Sequence, residues 1–177
     1  IDGIMQSAQA ILNLVEDVLS FSKIEEGHND IKPQSFNLAE LLSNVIHNFK
    51  HQMSNKEVDL KLSLSHGTDT IINTDPKILR RILTNLISNA VKFTNKGHVL
   101  VSAEIANVDG KSELMINVED TGIGIPESEI DKIFAMYYQV KSGTDNLHAV
   151  GTGIGLAVSK QLINMMDGDI DVTSEEG

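Results

Sequence analysis

Apolar residues recur at helical spacing over the first part of the chain. Between residues 1 and 24 they alternate steps of three and four, which is typical of a coiled-coil seam: Ile1, Ile4, Ala8, Ile11, Val15 and Val18. A single helix cannot cover such a seam, so the pattern favours a partner helix over packing on the chain's own domain. The polar run that follows, with Pro33 beyond it, predicts a linker over residues 28–36.

A second helix is predicted from Leu38 to about Met53, with Asn37 as its N-cap. Its apolar stripe consists of Leu41, Leu42, Val45, Ile46 and Phe49. Strict alternation of apolar and polar residues then predicts a strand over Val58–Ser65 with one buried face.

Asp75 and Pro76 mark the start of a third helix, because proline fits the first helical position. Asn95 and Gly97 are expected to end it. Its buried face is predicted to comprise Ile78, Leu79, Ile82, Leu83, Leu86, Ile87 and Ala90. Two alternating strands, at 98–106 and 113–119, follow with a turn between them at 107–110.

The last third of the chain predicts a helix from Glu127 to about Phe134 and, after a Gly/Ser/Asn-rich stretch, another from Ile154 to about Met166. A final strand is predicted over Asp169–Thr173. The chain opens without Met and ends on Glu-Glu-Gly, so we expect a piece of a longer protein whose sheet lacks an edge strand.

Composition narrows the class of protein. Hydrophobic residues make up 41% of the chain, which is typical of a globular domain. The net charge of -11 argues against nucleic-acid binding, so a phosphate ligand would need local donors and a metal. There is no cysteine, and no apolar run approaches the roughly 20 residues of a membrane-spanning helix.

Polar side chains lie along one strip of the third helix. Asn85, Asn89 and Lys92 fall within about 60° on a helical wheel, at the rim of the apolar face. Amide oxygens suit Mg²⁺, and an ammonium group suits phosphate. Taken alone, the strip is more typical of a solvated helix edge than of a ligand site.

Two glycine-rich stretches follow this helix. In the first, "DTGIGIP", Asp120 ends a strand and could accept a hydrogen bond from an exocyclic amine such as that of adenine, while Gly122 and Gly124 allow a flat ring to approach the backbone. The second, "GTGIGLA" over 151–157, opens a helix and supplies free backbone N–H groups for phosphate. Each stretch alone is a weak signal, since turns use the same residues.

Together and in this order, the motifs resemble the catalytic, ATP-binding domain of sensor histidine kinases, within the GHKL ATPase superfamily that includes gyrase and MutL. The resemblance covers about residues 35–177 and rests on "NLISNAVKFT", "DTGIGI", "IFAMYYQV" and "GTGIGLA", with wording closest to Arc-type (aerobic respiration control) hybrid kinases. It implies an α+β fold, a two-layer α/β sandwich of the Bergerat type, with three main helices on one face of a mixed sheet. Residues 1–27 would be one helix of a dimerisation and phosphoacceptor hairpin, 28–36 a linker and 37–177 the catalytic domain.

The resemblance also implies roles. Asn89 would ligate Mg²⁺ with Asn85 beside it, Lys92 would hold phosphate, Phe93 would lie against adenine and Asp120 would read its amine. The pocket and the lid with its phosphate contacts would use Gly122, Gly124, Ile125, Gly151, Thr152, Gly153, Gly155 and Leu156. A hydrophobic latch on the lid would use Phe134, Tyr137 and Tyr138, although ordinary packing would also explain these aromatic residues. Many members carry Arg just after the stretch "IFAMYYQV" (residues 133–140, the aromatic box). Here Gln139 and Lys141 stand at that place, and Lys141 is the expected substitute.

The superfamily's hydrolases carry a glutamate general base where this chain has Asn85, which cannot take up a proton. We therefore expect transfer of the ATP γ-phosphoryl group to a histidine of the upstream hairpin helix, which this chain lacks. None of its own histidines has the flanks of a phosphoacceptor: His28, His47, His51, His66, His98 and His148. The resemblance further implies homodimerisation of the parent, a downstream response regulator or receiver domain, a cytoplasmic location and an inner-membrane anchor in the parent. A self-contained ATPase and a nucleotide-free interaction module remain alternatives.

Overall fold

The computed structural model describes Val15 and residues 31–53, 56–65, 68–108, 110–140 and 152–176. Its contacts divide the chain into two compact units, one formed by residues 32–124 and the other containing 125–176. The seam predicted over residues 1–24 lies outside the described part of the chain, except for Val15, which is helical and 46% exposed.

The first unit contains five strands in two sheets. They are β1 (Gln34–Asn37), β2 (Glu57–Leu64), β3 (Ile71–Thr74), β4 (Lys96–Val108) and β5 (Lys111–Asp120). β1 pairs with β3 in an antiparallel sheet of two strands. In the other sheet β4 is central, parallel to β2 and antiparallel to β5, so the predicted mixed sheet is confirmed.

Two helices pack on this unit's three-stranded sheet: α1 (Leu38–Gln52) contacts β2, and α2 (Pro76–Phe93) contacts β4 and β5. Asn37 caps α1 as predicted, accepting a 3.0 Å hydrogen bond from the Glu40 N–H. Most residues of the predicted apolar faces form the core, with Leu42, Leu83 and Ile87 almost wholly buried, and strand residues such as Val99 and Val101 cover them from the sheet. Ile78 and Leu86, predicted to be buried, are only half-buried.

Several boundaries in this unit differ from the predicted ones. α2 ends at Phe93, before the expected Asn95 and Gly97, because Thr94 is extended and both its N–H and its hydroxyl bond to the Ala90 carbonyl. β4 and β5 are longer than predicted, since only residues 109–110 separate them and Gly110 turns the chain with φ +80°. β1 and β3 were not predicted, and β1 includes residues 34–36 of the expected linker.

The second unit contains α3 (Glu127–Ile130) and α4 (Gly155–Met165). α3 is shorter than the predicted helix to Phe134, because the chain continues in turns over 131–134. α4 ends near its predicted boundary, where Asp167 at φ +57° lets the Gly168 N–H reach the Ile163 carbonyl at 3.0 Å. The buried side chains of the second unit, among the described residues, are Ile133, Ile154, Ala157, Val158, Ser159 and Leu162.

The strand predicted over Asp169–Thr173 is not formed, and within the described residues this segment has no sheet ladder. The Asp169 and Asp171 carboxylates each accept a 2.8 Å hydrogen bond from the N–H of the next residue. Such local bonds compete with a ladder for the backbone groups. Alternation of apolar and polar residues was therefore insufficient evidence for a strand here.

Candidate functional site

The polar strip of α2 is placed as the sequence predicted. Asn85, Asn89 and Lys92 are each half-buried, at the rim of the face that buries Leu83 and Ile87. Burial lowers the pKa of Lys92, because a desolvated ammonium group is less stable when charged. The strip thus offers two amides and one partly desolvated cation on one helix face. Because water screens this cation less than it screens a fully exposed one, its attraction for an anionic ligand is stronger.

An aromatic ring lies next to this strip. Phe93 ends α2 and remains 41% exposed, although it is a large apolar side chain. The Lys92 ammonium lies 4.5 Å from the centroid of its ring. An exposed ring of this kind is available to stack on a flat ligand, and the cation beside it lies where charge attached to that ligand could be neutralised.

Asp120 lies at the end of β5 with its carboxylate exposed. Its Oδ1 accepts a 2.8 Å hydrogen bond from the Gly122 N–H and lies 3.5 Å from the Thr94 hydroxyl oxygen. The next residue is fixed to β4, because the Thr121 N–H donates to the His98 carbonyl at 3.1 Å and the Thr121 hydroxyl accepts from the His98 N–H at 3.0 Å. The Asp120 side chain is therefore held at a defined position, with its Oδ1 atom fixed by a hydrogen bond.

The two glycines after Asp120 serve different structural purposes. A Cβ added to Gly122 would lie 2.7 Å from the Phe93 carbonyl oxygen and 2.6 Å from Asp120 Oδ1, so only glycine lets this loop approach the end of α2. Gly124 has φ +70°, a conformation that side chains disfavour. That these glycines make room for a flat ring remains a prediction. What the structure shows is that Gly122 lets the loop after Asp120 pack against the end of α2, the helix that bears Asn85 and Asn89.

The donor set near α2 is suited to one kind of metal site. Within the described residues there is no group of three or more His, Cys, Asp or Glu side chains that could hold a metal ion. Transition-metal centres usually draw on several such side chains. Mg²⁺ differs, because it commonly keeps waters and takes few protein oxygens together with substrate phosphates. The amide oxygens of Asn85 and Asn89 fit that requirement, and Asn85 also interacts within the protein.

The second unit contains the remaining predicted residues. Gly153 has φ +68°, and a Cβ on it would lie 2.7 Å from the Tyr137 carbonyl carbon; the Tyr137 N–H donates to the Gly153 carbonyl at 2.8 Å. The Thr152 hydroxyl accepts a 3.2 Å hydrogen bond from the Ile154 N–H just before α4. Ile125, Gly155 and Leu156 are half-buried, whereas Lys141 and Gly151 lie outside the described residues.

The backbone hydrogen bond between Tyr137 and Gly153 joins the aromatic box to the second glycine stretch. Tyr137 itself is 65% exposed and has φ +62°, which is unusual for a bulky residue. Of the other latch residues, Phe134 is half-buried with the Lys160 ammonium 4.8 Å from its ring centroid. The predicted latch therefore contains one ring that lies against a cation, the exposed Tyr137 and the half-buried Tyr138.

Two residues at the ends of α2 make contacts that were not predicted from the sequence, and only Thr94 lies next to the candidate site. Asp75 was predicted only to mark the helix start, yet its carboxylate also accepts a 2.9 Å bond from the Lys32 N–H. Thr94 was not singled out, although it is fully buried between the helix end and Asp120. A threonine directly after a helical run is a signal for a polar side chain at a helix terminus, and it could have drawn notice.

Comparisons with known proteins agree with these features. A family described as "Histidine kinase-, DNA gyrase B-, and HSP90-like ATPase" matches residues 74–177. Over 171 residues the chain is 42% identical to the aerobic respiration control sensor protein ArcB of Escherichia coli and 37% identical to the sensor histidine kinase RcsC of the same species, in each case over 97% of this chain.

Solved structures show the same fold. Full-length ShkA in complex with AMPPNP matches 99% of this chain with a TM-score of 0.82 and 29% identity, and this chain covers 35% of it. The histidine kinase AdeS of Acinetobacter baumannii matches 99% of this chain with a TM-score of 0.79 at 21% identity, covering 77% of that chain. The chain spans 22% of the length of ArcB and 18% of that of RcsC. Within the described residues, no helix is long and apolar enough to cross a lipid bilayer.

Proposed function

The chain belongs to the family of histidine kinase-, DNA gyrase B- and HSP90-like ATPases, and from this premise we propose that it is the ATP-binding catalytic domain of a two-component sensor histidine kinase. The domain binds Mg-ATP and transfers its γ-phosphoryl group to a histidine on a separate hairpin helix. The whole parent protein would act in a phosphorelay, as a homodimer with a response regulator or receiver domain as its partner.

One observation carries this proposal: the polar strip of α2 (Asn85, Asn89 and Lys92, called here the asparagine strip) and the Asp120 loop belong to one unit and are in contact. The close approach of Gly122 to the Phe93 carbonyl brings the loop against the end of the helix that bears Asn89. The Asp120 carboxylate and the exposed Phe93 ring then both lie at the end of α2 that bears Asn89 and Lys92. This arrangement fits a purine nucleotide, whose amine, flat base and phosphates need these three kinds of contact.

The roles of the described residues follow from their chemistry. The Asp120 carboxylate accepts a hydrogen bond from the adenine amine, and Phe93 lies against the base. Lys92 contributes a point charge to the phosphates, strengthened by its partial burial. Asn89, with Asn85 beside it, would hold Mg²⁺ through amide oxygens. The metal, when bound, neutralises negative charge on the phosphates.

Kinase activity is favoured over hydrolysis because of Asn85. An amide cannot act as the general base that activates water. Phosphoryl transfer depends mostly on positioning and charge neutralisation, so a nucleophile supplied by another segment is sufficient. Of the histidines that the structure describes with side chains, His47 is exposed and His98 is half-buried on β4, and neither is proposed as the acceptor.

The AMPPNP complex of ShkA supports nucleotide binding by analogy, since that related structure holds an ATP analogue. The roles of Ile125, Lys141, Gly151, Thr152, Gly153, Gly155 and Leu156 in the pocket and lid remain predictions from the resemblance. A cytoplasmic location, and an inner-membrane anchor in the parent, are likewise part of the proposal.

The proposal is tested by following the γ-phosphate of labelled ATP. The chain is mixed with Mg-ATP and a separately produced phosphoacceptor hairpin of the parent kinase, and the label is traced. Label on the hairpin histidine is expected, and none on this chain. Asn89→Ala and Asp120→Asn should abolish transfer, whereas the matched exposed controls Asn117→Ala and Glu119→Gln on β5 should retain it.

Three results would contradict the proposal. Label on a histidine of this chain would show that it carries its own acceptor. Steady release of free phosphate that is lost in Asp120→Asn would favour a self-contained ATPase. A folded chain that neither binds nucleotide nor transfers label would favour an interaction module.

A further inference from the structure

Thr94 lies at the junction between the helix of the asparagine strip and the loop of Asp120. Its side chain is fully buried, at 0% exposure, in the first extended residue after α2. A buried hydroxyl is costly unless its hydrogen-bonding capacity is used. The contacts of this hydroxyl therefore indicate its role.

Two oxygens face the Thr94 hydroxyl. It donates a 2.7 Å hydrogen bond to the Ala90 carbonyl, which also accepts the Thr94 N–H at 3.0 Å. The single proton of the hydroxyl is shared with Oδ1 of Asp120, which lies 3.5 Å from Oγ1 and forms the longer arm of a three-centre hydrogen bond. The hydroxyl thus links two groups, the carbonyl of Ala90 in the last turn of α2 and the carboxylate of Asp120 at the end of β5. Ala90 directly follows Asn89 in the helix.

The Asp120 carboxylate is engaged asymmetrically. Within the described residues, both of its polar contacts use Oδ1, from the Gly122 N–H at 2.8 Å and the Thr94 hydroxyl at 3.5 Å. These contacts come from opposite sides of the junction, the loop and the helix end. They restrict rotation of the carboxylate, and within the described residues Oδ2 has no hydrogen bond, so it is the oxygen that remains for a ligand.

We propose that Thr94 is a positioning residue for nucleotide recognition, whose buried hydroxyl orients the Asp120 carboxylate toward the exocyclic amine of adenine. The inference rests on the proposed function, because it assumes that Asp120 reads that amine. Thr94 touches neither the base nor the phosphates, so its effect passes through Asp120. It would also keep the aspartate in register with the helix that carries Asn89.

The test uses two nucleotides that differ only at the amine. Equilibrium affinities are measured by calorimetry for Mg-ATP and for purine riboside triphosphate, which lacks the amine. Thr94→Val removes the hydroxyl and nearly keeps the shape, and we expect it to weaken ATP binding about fivefold to tenfold. The amine-free nucleotide should change less than twofold, and Thr94→Ser should restore ATP binding to within twofold of the wild type.

A double-mutant cycle adds a second readout. Thr94→Val should have little further effect in the Asp120→Asn background, because the two residues act as a pair. Equal weakening for both nucleotides, or additive effects in the cycle, would show a merely structural role and overturn the proposal. If Thr94→Val fails to fold by circular dichroism, Thr94→Ala replaces it with the same expectations.

The outcomes separate this inference from the proposed function. Wild-type chain that binds ATP no better than the amine-free nucleotide overturns both, since Asp120 then does not read the amine. Wild-type chain whose ATP preference depends on Asp120 but not on Thr94 overturns only the positioning role.

Discussion

The carboxylate of Asp75 fastens the segment that enters the first unit to the start of the asparagine helix. Only 6% of this residue is exposed. Oδ1 accepts from the Lys77 and Ile78 N–H groups at 2.9 and 3.2 Å, and Oδ2 accepts from the Lys32 N–H at 2.9 Å. One side chain thus performs two tasks, an N-cap and a link across 43 residues of sequence.

Two substitutions separate these tasks. Asp75→Ala removes both and should lower the free energy of unfolding by about 2–4 kcal/mol, the sum of a lost cap and a backbone donor left without its acceptor. Asp75→Asn keeps a good cap, because asparagine is an equivalent N-cap residue. Its amide nitrogen cannot accept from Lys32, so we expect a loss of about 1–2 kcal/mol.

Acid should reveal the same interaction. Burial opposes ionisation of Asp75, but the hydrogen bonds from the backbone N–H groups of Lys32, Ile78 and Lys77 outweigh it, and the pKa of Asp75 lies below its ordinary value. The folded state then binds fewer protons than the unfolded state between the two pKa values. The stabilisation is therefore fully present above the unfolded pKa of about 4 and is lost as pH falls through the lower folded pKa.

Urea unfolding followed by circular dichroism is the assay, since the chain has no Trp. With a slope of about 1–3 kcal/mol per molar urea, Asp75→Ala should shift the midpoint by about 1–2 M at pH 7. Hydrogen exchange of α2 assigns the change to this unit. The reasoning fails if Asp75→Asn is as damaging as Asp75→Ala, or if the gap between wild type and Asp75→Asn does not narrow below about pH 4.

Three further predictions concern backbone geometry and helix ends. Gly153→Ala should destabilise the second unit by more than about 2 kcal/mol, seen as faster hydrogen exchange in 125–176, because the new Cβ would clash with Tyr137. Its control, Gly110→Ala, has a similar positive φ but open space, so it should cost only about 1 kcal/mol; equal effects would refute the clash. Asp167→Gly should raise the stability of α4 by about 0.5–1 kcal/mol in thermal unfolding, since glycine accepts φ +57° freely, and a loss would contradict this. Lys56→Met should cost no more than about 1 kcal/mol, because the 2.9 Å bond of Lys56 to a carbonyl near the end of α2 is exposed; a larger loss in urea unfolding would contradict that limit.

Periodicity predicted the long elements of this fold well. α1 and α2 have continuous apolar faces, so their extents and buried residues follow from helical spacing, and the caps at Asn37 and Asp75 follow from local chemistry. β1 and β3 have four residues each, too few for alternation to be distinguished from chance, and their pairing depends on contacts between distant residues. Residues 169–173 do alternate as a strand would, yet they form none, because Asp169 and Asp171 accept hydrogen bonds from the backbone of the next residue.

The candidate site divides in a similar way. Asn85, Asn89 and Lys92 were predicted to share a helix face, because helical spacing alone decides that. The contacts of Thr94 and Gly122 were not predictable, since they arise from the approach of a loop to a helix end 26 residues earlier in the chain. The association of α2 with Asp120 was predicted from the order of the motifs along the chain, which carries the family resemblance, and not from the spacing of residues.

Equilibrium binding of ATP tests the central claim most directly. Calorimetry would compare wild type, Asn89→Ala and Asp120→Asn, each with Mg²⁺ and with EDTA, and Asn117→Ala would serve as the exposed asparagine control. The account predicts saturable binding that Mg²⁺ strengthens, a loss of at least tenfold in Asp120→Asn, about 1.4 kcal/mol, and a loss of the Mg²⁺ effect in Asn89→Ala. Wild-type binding that neither substitution changes, or no binding by the folded chain, would contradict it.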